Sequence, residues 1–256
     1  MIFVWILCFW GCAPPNAPET LDQLGSYLFT EFQNPDERYM HLGLQNLYTW
    51  VEENREDVQE GYRIENLTEE AILALGVTDK PDLEGLIGAA VATDIKFSVE
   101  ELIAVSLGTD PLEIDPDAYG YFRREWDGDL DCFLRKECTE ISFTAEIQNI
   151  LPLGIVTDSK TKGTYKWFFL EEGDFIAQRR WLAEPAQSNQ SWLEVNQDYA
   201  VNVCMPLESG MRFMDIEWVV TKLGDIPVPE DFALSLAISA MSKSRKNMEQ
   251  YMEENL

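Results

Sequence analysis

The sequence predicts an α+β fold: N-terminal helices, then an antiparallel β-meander packed on one long C-terminal helix. Three observations carry this. Apolar residues recur at helical spacing through the first part of the chain, beyond Cys138 the apolar period becomes two, and from Pro229 to Asn255 the helical period returns.

Leu21, Leu24, Leu28 and Phe32 place a first helix over Thr20 to Gln33, which Asn34-Pro35 interrupts. Leu44, Leu47, Trp50, Val51 and Val58 form the apolar stripe of a second, opposite the run Glu52, Glu53, Arg55, Glu56 and Asp57, and Gly61 closes it. Thr68 with Glu69 and Glu70 opens a short third helix ending at Gly76. Leu86 to Phe97 reads as a strand of small residues, and Ser98 with Glu100 and Glu101 as the start of a capped helix. The stretch from Thr109 to Asp131, rich in Asp, Pro and Gly, reads as a long irregular connection.

Ile141, Phe143, Ala145 and Ile147 alternate with Glu140, Ser142, Thr144 and Glu146. Leu193, Val195, Tyr199, Val201 and Val203 stand likewise against Glu194, Asn196, Asp198 and Asn202, so both segments read as half-buried strands. Thr164 to Leu170, Phe175 to Ala183 and Met211 to Leu223 supply three more, and short turns such as Glu172-Gly173-Asp174 and Ser209-Gly210 make the arrangement a meander. Phe213 and Met214 break the alternation of the last strand, which predicts a bulge. In the final helix Pro229, Glu230 and Asp231 occupy the first turn, and Leu234, Ile238, Met241, Met248 and Met252 share a face. The expected organisation is a leader over 1–11, a tether over 12–18, a helical region over 19–80 and a sheet-plus-helix domain over 83–256.

The chain has 256 residues, 46% of them apolar, enough to build a core. Its 19 basic and 46 acidic residues give a net charge of −27, which repels anions. Nucleic-acid binding and polybasic attachment to lipid both need clustered Lys and Arg, so both are excluded as expectations.

Met1 to Gly11 carries no ionisable side chain and is almost wholly apolar. Such a run is too short to span a bilayer, which takes about 20 residues, and fits the hydrophobic part of a signal peptide. Gly11-Cys12, with Leu7 upstream, resembles the lipobox of bacterial lipoproteins. The resemblance implies that Cys12 is lipidated, becomes the mature N-terminus and ties the chain to a membrane. Ala13 after the cysteine resembles the pattern of outer-membrane retention, with the folded part facing the periplasm.

Cys132 and Cys138 are close enough in sequence to form a local disulfide in an oxidising compartment; the alternative is two separate buried thiols. Their spacing is not that of a zinc pair, and His41 is the single histidine, so no metal site is expected from them. Asp127-Gly128-Asp129-Leu130-Asp131 spaces its carboxylates as a calcium loop can, but Cys132 and Cys138 stand where an EF-hand needs Gly and Glu, and a solvated turn is the alternative. No phosphate-cradling loop or dinucleotide fingerprint is present, no cofactor is expected, and no nucleophile with a matching base can be nominated for a hydrolase.

Read in order, Leu86 to Leu256 is strand, helix, irregular segment, five meandering strands and a long helix. This resembles the START-like helix-grip fold, in which a curved antiparallel sheet wraps a C-terminal helix and often encloses an apolar ligand cavity. The resemblance implies that Trp167, Trp181, Tyr199 and Trp218 point towards the Leu234, Ile238 and Met241 stripe. Arg179, inward beside Trp181, then pairs with a buried acid or reads an anionic head group. The same aromatics at strand spacing equally make an ordinary filled core. The phrases QRRWL (Gln178 to Leu182), NQDYAVNV (Asn196 to Val203) and IEWVV (Ile216 to Val220) also resemble uncharacterised proteobacterial lipoproteins. The expected function is a non-enzymatic, lipid-anchored envelope protein. Its partner is a hydrophobic small molecule held between sheet and helix, or another envelope protein.

Overall fold

The computed structural model describes residues 16–77, 81–151, 154–224 and 229–256. The expected leader and Cys12 lie outside the described residues. The first helices are α1 (Leu21–Glu31), α2 (Arg38–Glu53) and α3 (Arg55–Glu60). The second predicted helix is therefore two, because Asn54 ends α2 in a non-helical conformation and α3 restarts beyond it. The end of the expected tether is docked: Asn46 Nδ2 donates to the carbonyls of Ala17 and Pro18 at 3.3 and 2.8 Å, and Ala17 is buried. Strand β1 (Tyr62–Ile64) and a short α4 (Glu69–Leu73), capped by the Thr68 side chain, follow.

Next come β2 (Ile87–Ile95) and α5 (Val99–Gly108), the latter opened by a reciprocal capping box between Ser98 and Glu101. The segment expected to be irregular holds α6 (Pro111–Ile114), β3 (Tyr119–Asp127) and α7 (Leu130–Leu134). Among the described residues, strand β3 ends the sheet and pairs only with β4 (Glu140–Leu151). A strand paired on one side needs few apolar residues, and the charged run Arg123, Arg124 and Glu125 hides this one in the sequence. The meander continues through β5 (Ile155–Leu170), β6 (Gly173–Leu182), the two-residue β7 (Gln187–Ser188), β8 (Leu193–Leu207) and β9 (Gly210–Leu223), and α8 (Glu230–Asn255) closes the chain. A disulfide ties Cys132, within α7, to Cys138 just beyond it, and Cys204 is free and buried.

All the strands pair antiparallel in one sheet, ordered β1-β2-β9-β8-β6-β5-β4-β3, with β7 beside β5. Each strand gives alternate side chains to each face. One face packs beneath α1 and α2: Phe175, Tyr199, Val201, Ile216 and Trp218 meet Leu24, Leu28, Phe29 and Leu47. The other packs beneath α5, α7 and α8: Trp167, Ile176, Cys204 and Phe213 meet Phe133, Met248 and Met252, while Ala89 and Val91 meet Met241. The fold is thus α+β with N-terminal helices, a large antiparallel sheet and a C-terminal helix, and both faces of the sheet are covered.

Double coverage explains a second departure. Phe213 and Met214 are both buried on opposite faces of a regular ladder, so no bulge is needed to hide them. The register shift lies instead in β8, between Val195 and Gln197. Gly61, expected to close a helix, sits at φ +101, and a Cβ there would strike Ile238, so its lack of a side chain lets α8 approach.

Candidate functional site

Of the five residues expected to line a ligand site, four face away from α8. Trp218 is fully buried under α1, donates from Nε1 to the Glu65 carbonyl at 2.8 Å and meets the Phe29 ring edge-on. Tyr199 shares that core, where burial followed by Asp198 pushes its phenol up to about 12. Trp181 stands on the same face beside a shallow groove of about 320 Å³ between β3, β4 and β5. Arg179 also turns this way: its guanidinium stacks on Phe29, Phe32 and Trp181 and donates to the Phe29 carbonyl at 3.2 Å. No carboxylate bonds Arg179 among the described residues, and burial pushes its pKa down to about 10. Trp167 does face the α8 side, but in a closed apolar end where Nε1 donates to the Phe133 carbonyl at 3.0 Å. The physical reason is that the sheet has two cores, and those four residues belong to the one beneath α1 and α2.

The face towards α8 carries what the sequence left as the solvent side. Register aligns Phe143, Gly163, Arg180, Ala200, Glu217 and Ala89 across six strands. The next row holds Tyr165, Gln178, Asn202, Asp215 and Val91. Gly163 and Ala200 flank Arg180, and the Phe143 ring fills the space over Gly163. Arg180 Nη1 donates to Asp198 at 2.7 Å and its Nη2 stands 3.4 Å from Glu217. Across the gap, Arg245 of α8 makes two bonds of 2.9 Å to Asp215 and stacks on the Phe213 ring at 3.7 Å.

These groups lie deep in the fold, yet the side chains of Arg180, Asp198 and Glu217 remain 24, 21 and 22% exposed. Ile147, Val219 and Tyr165 on the same face are also only partly covered. The sheet and α8 therefore do not close on each other here, whereas beyond them Trp167, Ile176, Cys204, Phe213, Met248 and Met252 pack shut. We read this partly exposed stretch between sheet and α8 as a crevice with an apolar closed end and a charged wall.

Burial opposes the charge on Arg180, but Asp198 and Glu217 beside it outweigh this and hold it protonated. Burial and then Asp198 push the Glu217 carboxyl from 4.5 up to about 7, against the pull of Arg180. Burial likewise raises the Cys204 thiol, which removes it as a nucleophile. The folded chain thus binds the Glu217 proton more tightly than the unfolded chain, so this stability is full below pH 4.5 and is lost as pH rises to about 7. Glu217→Gln is expected to flatten that loss. Thermal melts on either side of the window test this, and an unchanged slope would remove Glu217 as its source.

The chain resembles START-like proteins of known structure. A STAR-related lipid transfer protein fragment from Xanthomonas axonopodis aligns at 12% identity over 68% of this chain and 96% of its own, with a TM-score of 0.44. A START superfamily protein from Mycobacterium smegmatis aligns at 11% over 66% and 99%, with a TM-score of 0.40. The di-domain ARO/CYC protein BexL of the BE-7585A biosynthetic pathway aligns at 12% over 83% and 60%, with a TM-score of 0.43. No protein-family model and no curated protein matches the sequence.

Outside the crevice, His41 meets Phe168 edge-on along α2. Asp129, in the candidate calcium loop, accepts from the Asp131 and Cys132 amides and so caps α7. Among the described residues no three His, Cys, Asp or Glu side chains gather as metal ligands, and no helix is long and apolar enough to cross a membrane. Arg180, Asp198, Glu217 and Arg245 escaped the sequence reading. The available signal was opposite charges at matching positions of three strands that a meander makes neighbours.

Proposed function

We propose that the chain is a lipid-anchored envelope protein that binds a small, largely apolar molecule in the crevice between its sheet and α8. The carrying observation is the partial exposure of Arg180, Asp198 and Glu217 on the α8 side, on a sheet whose other face packs beneath α1 and α2. Apolar surface from Ile147 and Val219 suits the body of such a ligand, and the charged row suits a polar end. Attachment through Cys12 rests on the Gly11-Cys12 junction, and the net charge of −27 favours a covalent anchor over electrostatic binding to anionic lipid.

Val219→Phe adds bulk to the crevice wall. It is expected to change unfolding free energy by less than about 1 kcal/mol, whereas the same change in a filled core costs about 1–3 kcal/mol. Protein purified from a bacterial host and extracted into organic solvent should release a bound small molecule, and the Val219→Phe protein should release less. A wild-type extract with no such molecule, together with a large destabilisation by Val219→Phe, would show a filled core. The same cells grown with a clickable fatty-acid analogue should label the chain and fail to label Cys12→Ala; label that survives the substitution rules out the anchor.

A further inference from the structure

We propose that Arg124 is the head-group site of the crevice, and that the ligand it holds carries a carboxylate on an apolar body. This rests on the reading of the crevice as a ligand site. Register brings Phe122, Arg124 and Trp126 of β3 to the α8 face, opposite Ile147, Ala145 and Phe143 of β4. The Arg124 guanidinium lies over three rings, 5.0 Å from Phe122, 4.9 Å from Trp126 and 5.6 Å from Phe143. These rings fix its plane. Among the described residues its one hydrogen bond runs from Nη1 to the Ser106 carbonyl at 3.3 Å, and Nε is enclosed with no acceptor.

The other cations on this face are paired, Arg180 with Asp198 and Glu217 and Arg245 with Asp215. Among the described residues no carboxylate bonds Arg124, in a chain with 46 acidic residues against 19 basic ones. Arg124 is partly buried and has no counter-charge among them, and a bound anion would supply one. A planar carboxylate is an anion whose geometry matches the guanidinium fork.

Two phenols complete the site. The Tyr165 ring lies 5.6 Å from Phe143 and 6.2 Å from Trp126, and the Tyr119 ring 6.1 Å from Phe122. Neither hydroxyl makes a hydrogen bond among the described residues; after burial, Arg124 acts most strongly on Tyr165, whereas Arg245 and Arg180 act on Tyr119 more strongly than Arg124 does. Each is a donor without an acceptor, beside a cation without an anion. Of the acids on this face, Asp215 is bonded to Arg245 and Asp115 to the Asn247 amide at 2.6 Å, while Asp198 bonds Arg180 through Oδ2 and keeps a buried Oδ1 without a partner among the described residues. Glu217 faces Arg180 rather than Arg124.

Calorimetry on the full chain with dodecanoate, dodecanol and dodecylamine tests the assignment. Dodecanoate should bind at least about tenfold more tightly than dodecanol, a difference well within reach of one charged contact. Dodecylamine should bind more weakly than both. Arg124→Met keeps an apolar stem over the rings, and should bring dodecanoate down to the affinity of dodecanol while leaving dodecanol unchanged. Equal binding of acid and alcohol, or tightest binding of the amine, overturns the assignment while keeping the crevice as a ligand site. Failure of all three to bind overturns both readings. If Arg124→Met does not fold, the three-ligand comparison on the unmodified chain decides alone.

Discussion

Trp218→Ala is expected to lower the unfolding free energy by about 3–5 kcal/mol, the range for truncating a buried Trp. For a chain of this length that corresponds to a fall in Tm of roughly 10 °C. The side chain is fully buried, and its indole donates to the Glu65 carbonyl. Truncation therefore leaves a cavity and an unmet acceptor together. Relaxation is blocked on two sides, because the ring already rests against the bare backbone of Gly88 and lies near Gly25 of α1, and neither glycine can fill the space. Trp218→Phe should recover most of the packing but not the indole bond. Denaturant unfolding of the two variants separates the terms. Ligand binding in the crevice should be unaffected wherever the protein remains folded, since Trp218 faces α1. A loss of binding at constant stability would instead restore Trp218 to the ligand site.

The meander was legible because alternation at Ile141 to Ile147 and Leu193 to Val203 is a direct readout of strand geometry. The final helix was legible because its methionine stripe repeats at helical spacing. What the sequence could not convey is which helices cover which face. Alternation says that Tyr199, Val201 and Val203 share a side; it does not say that α1 and α2, rather than α8, pack against that side. Once an apolar face is assigned to the wrong partner, every residue of the opposite parity is misread as solvent-exposed. That single inversion placed Trp181, Tyr199, Trp218 and Arg179 at the candidate site and left Arg180, Asp198 and Glu217 outside it. Strand β3 was missed for a related reason: its inward residues Phe122, Arg124 and Trp126 are partly polar because they border a crevice and not a packed core.

The strongest test of the wall formed by α8 is its ion pair with the sheet. Arg245→Met is expected to cost about 3–5 kcal/mol, because it strands the Asp215 carboxylate in the interior. Asp215 keeps only 4% of its side chain exposed and Arg245 only 16%, so solvent cannot replace the lost partner cheaply. Asp215→Leu should cost a similar amount by stranding the guanidinium, although stacking on Phe213 retains part of its packing. The double variant removes both charges, and replacement of a buried pair by apolar groups of similar size is often close to neutral. It should therefore be more stable than either single variant, giving a large favourable coupling in a double-mutant cycle measured by denaturant unfolding. Single costs below about 1 kcal/mol would mean that the pair behaves as a surface bridge, with α8 held by its other contacts, among them the buried Met241, Met248 and Met252. The distinction bears on function: a helix pinned by a buried bidentate pair in its middle holds the crevice open at a fixed width, while one held only by deformable methionine contacts is free to settle onto the sheet.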